Sequence, residues 1–425
     1  MLDYYIINLT YSEFNSGGYG YLPYIVYSAL KKDGFTVEMN EDFTLTQMKE
    51  IPEAKEYLIA LWAYPQIDLA TVIHKFLPFD NVSFFGYYPL IDELKLPKRR
   101  ISNETILKGI RNYSRYFKDF KYILLCEDDM HLSKYDGIVY PLFTSYGCGN
   151  GCAFCPLTVN CDYTRIELPV YDAILSLQEC YNLGIRNIHF TDDDFFHNPE
   201  RAYHILQSVQ TFDMKFIILG TVGKVQKFLD LYGERPLIEA GVKIIEVGLE
   251  TADENVASLM HKPKANKYIK LYNSLKEVDI FWLTLTFFPG ETISSLNTTG
   301  VFLQKYGHKP EDLYSRIATN SSEGGLGQFM QLYHGVKHYN ELKDQGIHIN
   351  ERPIRLLPSF VPFSFLNSII QKHRPIKDSD LKWFKPYKIN PYHYEICDGK
   401  SIKELTDTSD GYIFYAICAR LRIIE

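Results

Sequence analysis

Two patterns of apolar residues alternate along this chain. Short continuous runs fit buried strands, and longer stretches with apolar residues at i, i+3 and i+4 fit helices. The first run, residues 4–9, is followed by a glycine-rich turn. A helix follows at 22–32, with Leu22, Ile25, Val26, Ala29 and Leu30 on one face and Gly34 placed as its C-terminal cap. Strands follow at 35–39, 57–63, 82–85 and 121–126, with helices at 67–76 and 104–113 between them. This order predicts a Rossmann-like, doubly wound parallel sheet over residues 1–136. A second series covers 137–320. Its strands are predicted at 138–143, 187–191, 215–220, 243–249, 281–287 and 312–319, and its helices at 170–183, 198–210, 267–278 and 292–306, with a further helix ending at 237–240. Short links between alternating elements imply parallel strands and right-handed crossovers. Residues 321–425 lose this rhythm: a helix near 330–345 precedes a proline-punctuated apolar stretch and an aromatic, lysine-bearing one. They read as a small α-rich cap on the substrate side.

Composition narrows the class. A chain of 425 residues can fill two or three cores. The net charge of −7 gives no drive toward nucleic acid or acidic membranes. No apolar run approaches the length of a membrane span, so a cytoplasmic protein is expected. Five of the eight cysteines, Cys126, Cys161, Cys180, Cys397 and Cys418, are scattered without a framework, as reduced thiols are.

The other three lie together. Ser145-Tyr146-Gly147-Cys148-Gly149-Asn150-Gly151-Cys152-Ala153-Phe154-Cys155 follows the strand at 138–143. Thiolates suit iron–sulfur clusters or zinc. The glycines allow a loop to wrap closely around a bulky centre. Three ligands leave one coordination position open, which a catalytic centre needs. On spacing alone a zinc knuckle stays open as an alternative.

C-x3-C-x2-C with an aromatic before the last cysteine resembles the motif of radical S-adenosylmethionine (SAM) enzymes. The resemblance implies that Cys148, Cys152 and Cys155 hold a [4Fe–4S] cluster and that Phe154 packs near the adenine of SAM. It further implies that the second α/β series is a partial (β/α)6 barrel with its chemistry at the carboxyl ends of the strands. Three strand ends fit. Thr191-Asp192-Asp193-Asp194 resembles the acidic motif that holds the methionyl amine, with Asp192 and Asp193 as its contacts. Gly248-Leu249-Glu250-Thr251 resembles the ribose-contacting stretch, with Glu250 accepting from hydroxyls. Phe288-Pro289-Gly290-Glu291-Thr292 resembles the turn whose backbone, at Pro289 and Gly290, touches adenine. An arginine that relatives carry after the third strand is missing, and Lys224 or a group from another strand must serve.

The stretch 20–37 is similar to the first helix of cobalamin-binding domains fused to radical SAM enzymes. The D-x-H-x-x-G motif with the histidine that ligates cobalt is absent from the loop after the first strand. Asp129-Met130-His131 lies after the fifth predicted strand and has Lys134 where glycine belongs. Gly18-Tyr19-Gly20 does not complete a dinucleotide fingerprint, because Pro23 occupies the third glycine position. Cobalamin is therefore expected without a histidine lower ligand. The leading expectation is a cobalamin-dependent methyltransferase acting on an unactivated carbon of a peptide or natural product, fed by an external electron donor such as flavodoxin or ferredoxin. Alternatives are a radical SAM enzyme without cobalamin chemistry (cyclisation, rearrangement, epimerisation or oxidation) and a non-enzymatic electron carrier. No C-x2-C spacing in the last hundred residues suggests an auxiliary cluster.

Overall fold

The computed structural model describes residues 1–9, 21–43, 45–61, 66–77, 79–120, 139–155, 157, 160, 164–286, 293–306 and 328–329. Four strands, β1 (Leu2–Leu9), β2 (Val37–Phe43), β3 (Ala54–Leu61) and β4 (Val82–Gly86), form the N-terminal sheet in the order β2-β1-β3-β4. Every pairing is parallel. Strands covered on both faces need continuous apolar runs, and the second halves of β1 and β3 are buried without interruption. The chain leaves β1 toward β2 on one side and returns to β3 on the other. The switch point, where such sheets bind ligands, therefore lies between the carboxyl ends of β1 and β3.

The helix Leu22–Lys32 packs on this sheet and against the helix Asn103–Asn112. Gly109 makes that approach possible, because a Cβ there would stand 2.1 Å from the Ile25 carbonyl oxygen. Ser102 starts the second helix by accepting the Thr105 amide on its hydroxyl at 3.1 Å.

The second sheet has six strands in sequential order: β5 (Tyr140–Leu142), β8 (Asn187–Phe190), β9 (Lys215–Gly220), β10 (Val242–Glu250), β11 (Asp279–Thr286) and β12 (Gln328–Phe329). A short antiparallel pair, β6 (Ser145–Tyr146) with β7 (Ile166–Glu167), sits after β5. All six main strands run parallel, and helices Val170–Asn182, Pro199–Ser208, Val222–Tyr232, Arg235–Ala240, Ala265–Ser274 and Ile293–Tyr306 connect them. This is the open six-stranded barrel arc that the alternating pattern predicts.

Its two faces differ. Outward residues Ile188, Phe190, Phe216, Ile218, Ile245, Val247 and Trp282 are fully buried against the helices in the main core. Inward, Val139, Ile217, Ile244 and Phe281 form a separate apolar floor. Toward the carboxyl ends, the inward Leu219, Gly248 and Leu283 retain partial exposure.

The two sheets meet through aromatic rings. Phe143, just past β5, contacts Tyr21 at 4.8 Å and Tyr113 at 5.3 Å between centroids, and Phe117 meets Tyr140 at 5.2 Å. Ion pairs Arg111–Asp172 and Arg115–Glu179 line the edge of this seam. No helix among the described residues is long and apolar enough to cross a membrane.

Some expectations shift. The helix Val222–Tyr232 was not anticipated, and it places Lys224 in a helical first turn rather than on a strand end. The apolar positions Val222, Val225, Phe228 and Leu229 carry its helical signal. The strand beside β11 is β12, whereas the predicted strand at 312–319 lies outside the described residues, as do the strand at 121–126 and most of the cap.

Candidate functional site

The three cysteines follow β5 at the carboxyl end of the barrel. Two sets of contacts hold their loop, one from β8 and one from the segment after β10.

On the β8 side the three consecutive acids point in different directions. Asp192 is fully buried and accepts from the Thr144 amide at 3.1 Å, the Thr144 hydroxyl at 2.9 Å and the Ser145 hydroxyl. Burial pushes its carboxyl above the ordinary range, against the lowering pull of Arg165, Ser145 and Arg201. Asp193 accepts the Gly147 amide at 2.8 Å, one residue before the first cysteine. Burial raises its carboxyl to about 6, opposed by the Gly147 bond and Arg165 and reinforced by its acidic neighbours. Asp194 turns the other way, toward the Thr221 hydroxyl at 2.9 Å and the Thr221 amide at 3.2 Å. Mutual repulsion among the acids is thus relieved by direction and by donors. Asp193 is the one aimed at the cysteine loop.

Two guanidiniums complete this side. Arg165, with 5 % of its side chain exposed, donates to Glu167 at 2.7 Å, to the Ser145 hydroxyl at 2.7 Å and to the Gly147 carbonyl at 3.2 Å. It straps β7 to the start of the loop. Arg201, on the helix Pro199–Ser208, donates to the carbonyls of Thr144 at 2.8 Å and Leu168 at 3.1 Å.

On the β10 side the loop meets residues 260–262. The Ala153 amide donates to the Met260 carbonyl at 3.2 Å, and His261 Nδ1 donates to the Gly151 carbonyl at 3.1 Å. Lys262 Nζ lies 3.2 Å from Glu250 Oε1, both side chains being about nine-tenths buried. Burial alone would lower the Lys262 ammonium, but Glu250, Tyr268 and Cys152 together raise it above its ordinary value. Glu250 ends β10 with φ of 60°, an unusual conformation for a residue other than glycine, asparagine or aspartate. Such strain concentrates at functional sites. Gly248 leaves the space for this pair: a Cβ there would meet Glu250 Oε1 at 2.5 Å and Lys262 Nζ at 3.0 Å.

The thiols lie between these two walls. Cys148, Cys152 and Cys155 are half-buried and form no disulfide. Burial pushes the Cys148 and Cys152 thiols up, so a bound cation is needed to hold them as thiolates. Asn150 Nδ2 donates to Cys148 Sγ at 3.1 Å, a neutral donor that stabilises charge on the sulfur. Among the described residues no three His, Cys, Asp or Glu side chains converge on one ion. A four-iron cluster asks for something different, one thiolate for each of three irons. The three half-buried thiols of one glycine-bearing loop match that donor set.

A family model described as the Radical SAM superfamily matches residues 142–303. This segment is a radical SAM domain. It begins at the last residue of β5, takes in the cysteine loop and both of its walls, and ends in the helix Ile293–Tyr306. The fold of the whole chain resembles that of TsrM, a radical SAM methyltransferase from Kitasatospora setae. Against its structure with cobalamin and a [4Fe–4S] cluster bound, the TM-score is 0.58 at 12% identity, covering 100% of this chain and 89% of that one. Against the TsrM structure with tryptophan substrate and a SAM analogue bound, the TM-score is 0.54 at 12% identity, covering 85% of this chain and 82% of that one. No curated protein sequence matches this chain.

Of the residues singled out from sequence, the structure brings Cys148, Cys152, Cys155, Asp193 and Glu250 to one end of the radical SAM barrel. Asp192 is committed to Thr144 and Ser145 beneath the loop. Phe154 is half-buried against the main core. Pro289 and Gly290 lie outside the described residues. Sequence reasoning missed Arg165, Arg201, His261 and Lys262. Arg165, Arg201 and His261 act on residues far away in the chain, whereas Lys262, a basic residue shortly after the Glu250 strand end, left a local signal.

Proposed function

We propose that this protein is a cobalamin-dependent radical SAM methyltransferase acting on an unactivated carbon of a peptide or natural product. The likeness to TsrM over the full chain carries this reading, because it includes the N-terminal sheet as well as the radical SAM domain. In it, Cys148, Cys152 and Cys155 hold the [4Fe–4S] cluster. Asp193 would hold the ammonium of SAM, Lys262 its carboxylate and Glu250 its ribose hydroxyls. When bound, these groups supply a one-electron reductant, an adenosyl or methyl donor and a methyl carrier. The chain's own work is positioning and exclusion of water: Arg165 and Residues 260–262 fix the loop, and Gly248 admits the Glu250–Lys262 pair.

The cobalamin part has its own support. Asn8, 1 % exposed near the carboxyl end of β1, keeps a buried side-chain N–H group without a partner at the switch point of the sheet. A buried donor left unsatisfied is costly and fits a ligand acceptor there. Residues 10–20 contain no histidine, so cobalt would have no histidine lower ligand from that loop. That missing histidine is also the observation behind the second reading, a radical SAM enzyme whose N-terminal sheet is a scaffold.

Anaerobically reconstituted protein, given SAM and dithionite, tests the radical SAM part by mass spectrometry. The expected result is 5′-deoxyadenosine or S-adenosylhomocysteine in the wild type and neither in Cys152→Ala. A four-iron cluster that forms neither product would refute it.

A further inference from the structure

The N-terminal unit grips the cysteine loop on both sides. Phe143, five residues before Cys148, packs against the rings of Tyr21 and Tyr113. Asn160, five residues after Cys155 and 8% exposed, accepts the Tyr88 backbone amide on Oδ1 at 2.9 Å. That amide is a donor its own helix leaves orphaned. Tyr88 opens the helix Tyr88–Glu93, Tyr87 before it offers no side-chain cap, and Pro89 brings no N–H. Asn160 does from 72 residues away what a capping side chain does locally. On its own side Tyr88 is held firmly. The Tyr87 amide donates to the Leu61 carbonyl at 2.8 Å, where β3 ends. Only glycine fits at the end of β4, because Gly86 has φ of 118° and a Cβ there would stand 2.6 Å from that same carbonyl oxygen. The Tyr88 hydroxyl accepts the Ile101 amide at 2.9 Å, and the Arg100 guanidinium lies 5.1 Å from its ring centre. The bond from Asn160 thus lands on fixed backbone at the carboxyl ends of β3 and β4.

The two walls that fix the cysteine loop, Asp193 with Arg165 on one side and residues 260–262 on the other, both belong to the barrel. They do not set how the loop registers on the other unit. Apolar rings such as Phe143 draw surfaces together without direction. A buried hydrogen bond holds one geometry, and breaking it strands an unsatisfied amide. Five residues span at most about 18 Å, so this bond lies close to the third thiol. We infer that Asn160 is a positioning residue that couples the cluster loop to the N-terminal sheet. Ordering of the loop by its cluster passes through the Tyr88 amide to the ends of β3 and β4. A ligand at those ends acts back on cluster binding to the same extent. The inference rests on the reading of Cys148, Cys152 and Cys155 as cluster ligands, and not on what the sheet binds.

The test is anaerobic hydrogen–deuterium exchange of the full chain, cluster-free and cluster-loaded, read by mass spectrometry of its peptides. In the wild type, loading should slow exchange in the loop peptide 145–155 and, about tenfold, in the peptide 86–93. Strand β2, at the far edge of the sheet, should not respond. Asn160→Leu should keep the slowing in 145–155 and lose it in 86–93. Asn160→Asp keeps an acceptor at the same place and should retain both. A merely structural Asn160 would let 86–93 exchange faster in Asn160→Leu with and without the cluster alike, leaving the ratio intact, and that result overturns the inference. Slowing that reaches β2 as well is global stabilisation and also overturns it. So does a wild type whose 86–93 is blind to loading, or loss of the response in Asn160→Asp, and neither result depends on whether Asn160→Leu folds. A chain that takes up no four-iron cluster would overturn the reading of the three cysteines as well, whereas a loaded chain with an unresponsive 86–93 overturns the coupling alone.

Discussion

At the residue scale, buried charge is tolerated where a partner meets it. Lys262 and Glu250 are such a pair, and removing one member strands the other. Lys262→Met should cost about 3 kcal/mol of unfolding free energy, read from urea denaturation, and E250Q/K262M should recover most of it. Both variants should bind SAM weakly. The Lys262 ammonium is held above its ordinary value, so its stabilising share persists below the unfolded lysine range and is lost only as pH rises past it. Lys262 should therefore add no pH dependence near neutrality. Asp193 shifts in the same direction but titrates in a lower pH window. Its carboxyl is raised to about 6, so the folded, cluster-free protein binds a proton that the unfolded chain releases near pH 4. Stability should fall as pH rises from about 4 to 6, and Asp193→Asn should flatten that slope in thermal melts. Asn150 acts on the sulfur directly. Asn150→Leu should move the loaded cluster to a more negative reduction potential, and an unchanged potential would remove the Asn150 bond from the account.

At the element scale, close approach rather than charge joins the pieces. Gly109 lets the helices Leu22–Lys32 and Asn103–Asn112 touch, with no room for a methyl group. Gly109→Ala should cost about 1–3 kcal/mol through overpacking, against at most about 1 kcal/mol for Arg115→Ala at the exposed edge of the seam. Denaturant midpoints of the two variants decide the comparison, and the reverse ranking would make the ion pairs the stronger joint.

Most elements were legible because strands buried on both faces must be apolar runs and the helices between them must be amphipathic. β9 falls where the pattern of Lys215–Gly220 puts it, and β1 and β3 differ from expectation only at their ends. The cysteines and Glu250 were legible because their spacing and strand-end positions are local. Arg165 was not, because its partners Ser145 and Gly147 become neighbours only when β6 pairs with β7. The same holds for His261, whose partner Gly151 is 110 residues away. Asn160 reads as an ordinary polar residue until the meeting of the two units brings it to the Tyr88 amide.

At the scale of the whole molecule, a radical SAM barrel and a parallel sheet with its switch point at β1 and β3 are joined by an aromatic seam. The seam sets the β5 end, where the cluster loop begins, against the rings of the N-terminal sheet's helices. The proposed methyl transfer requires this sheet to carry cobalamin to the barrel mouth. The most direct measurement is anaerobic: reconstitute with iron, sulfide and cobalamin, desalt, and record the absorption spectrum. About one corrinoid should be retained for each [4Fe–4S] cluster, with retention reduced by Asn8→Leu. A full four-iron spectrum with no corrinoid retained would contradict it.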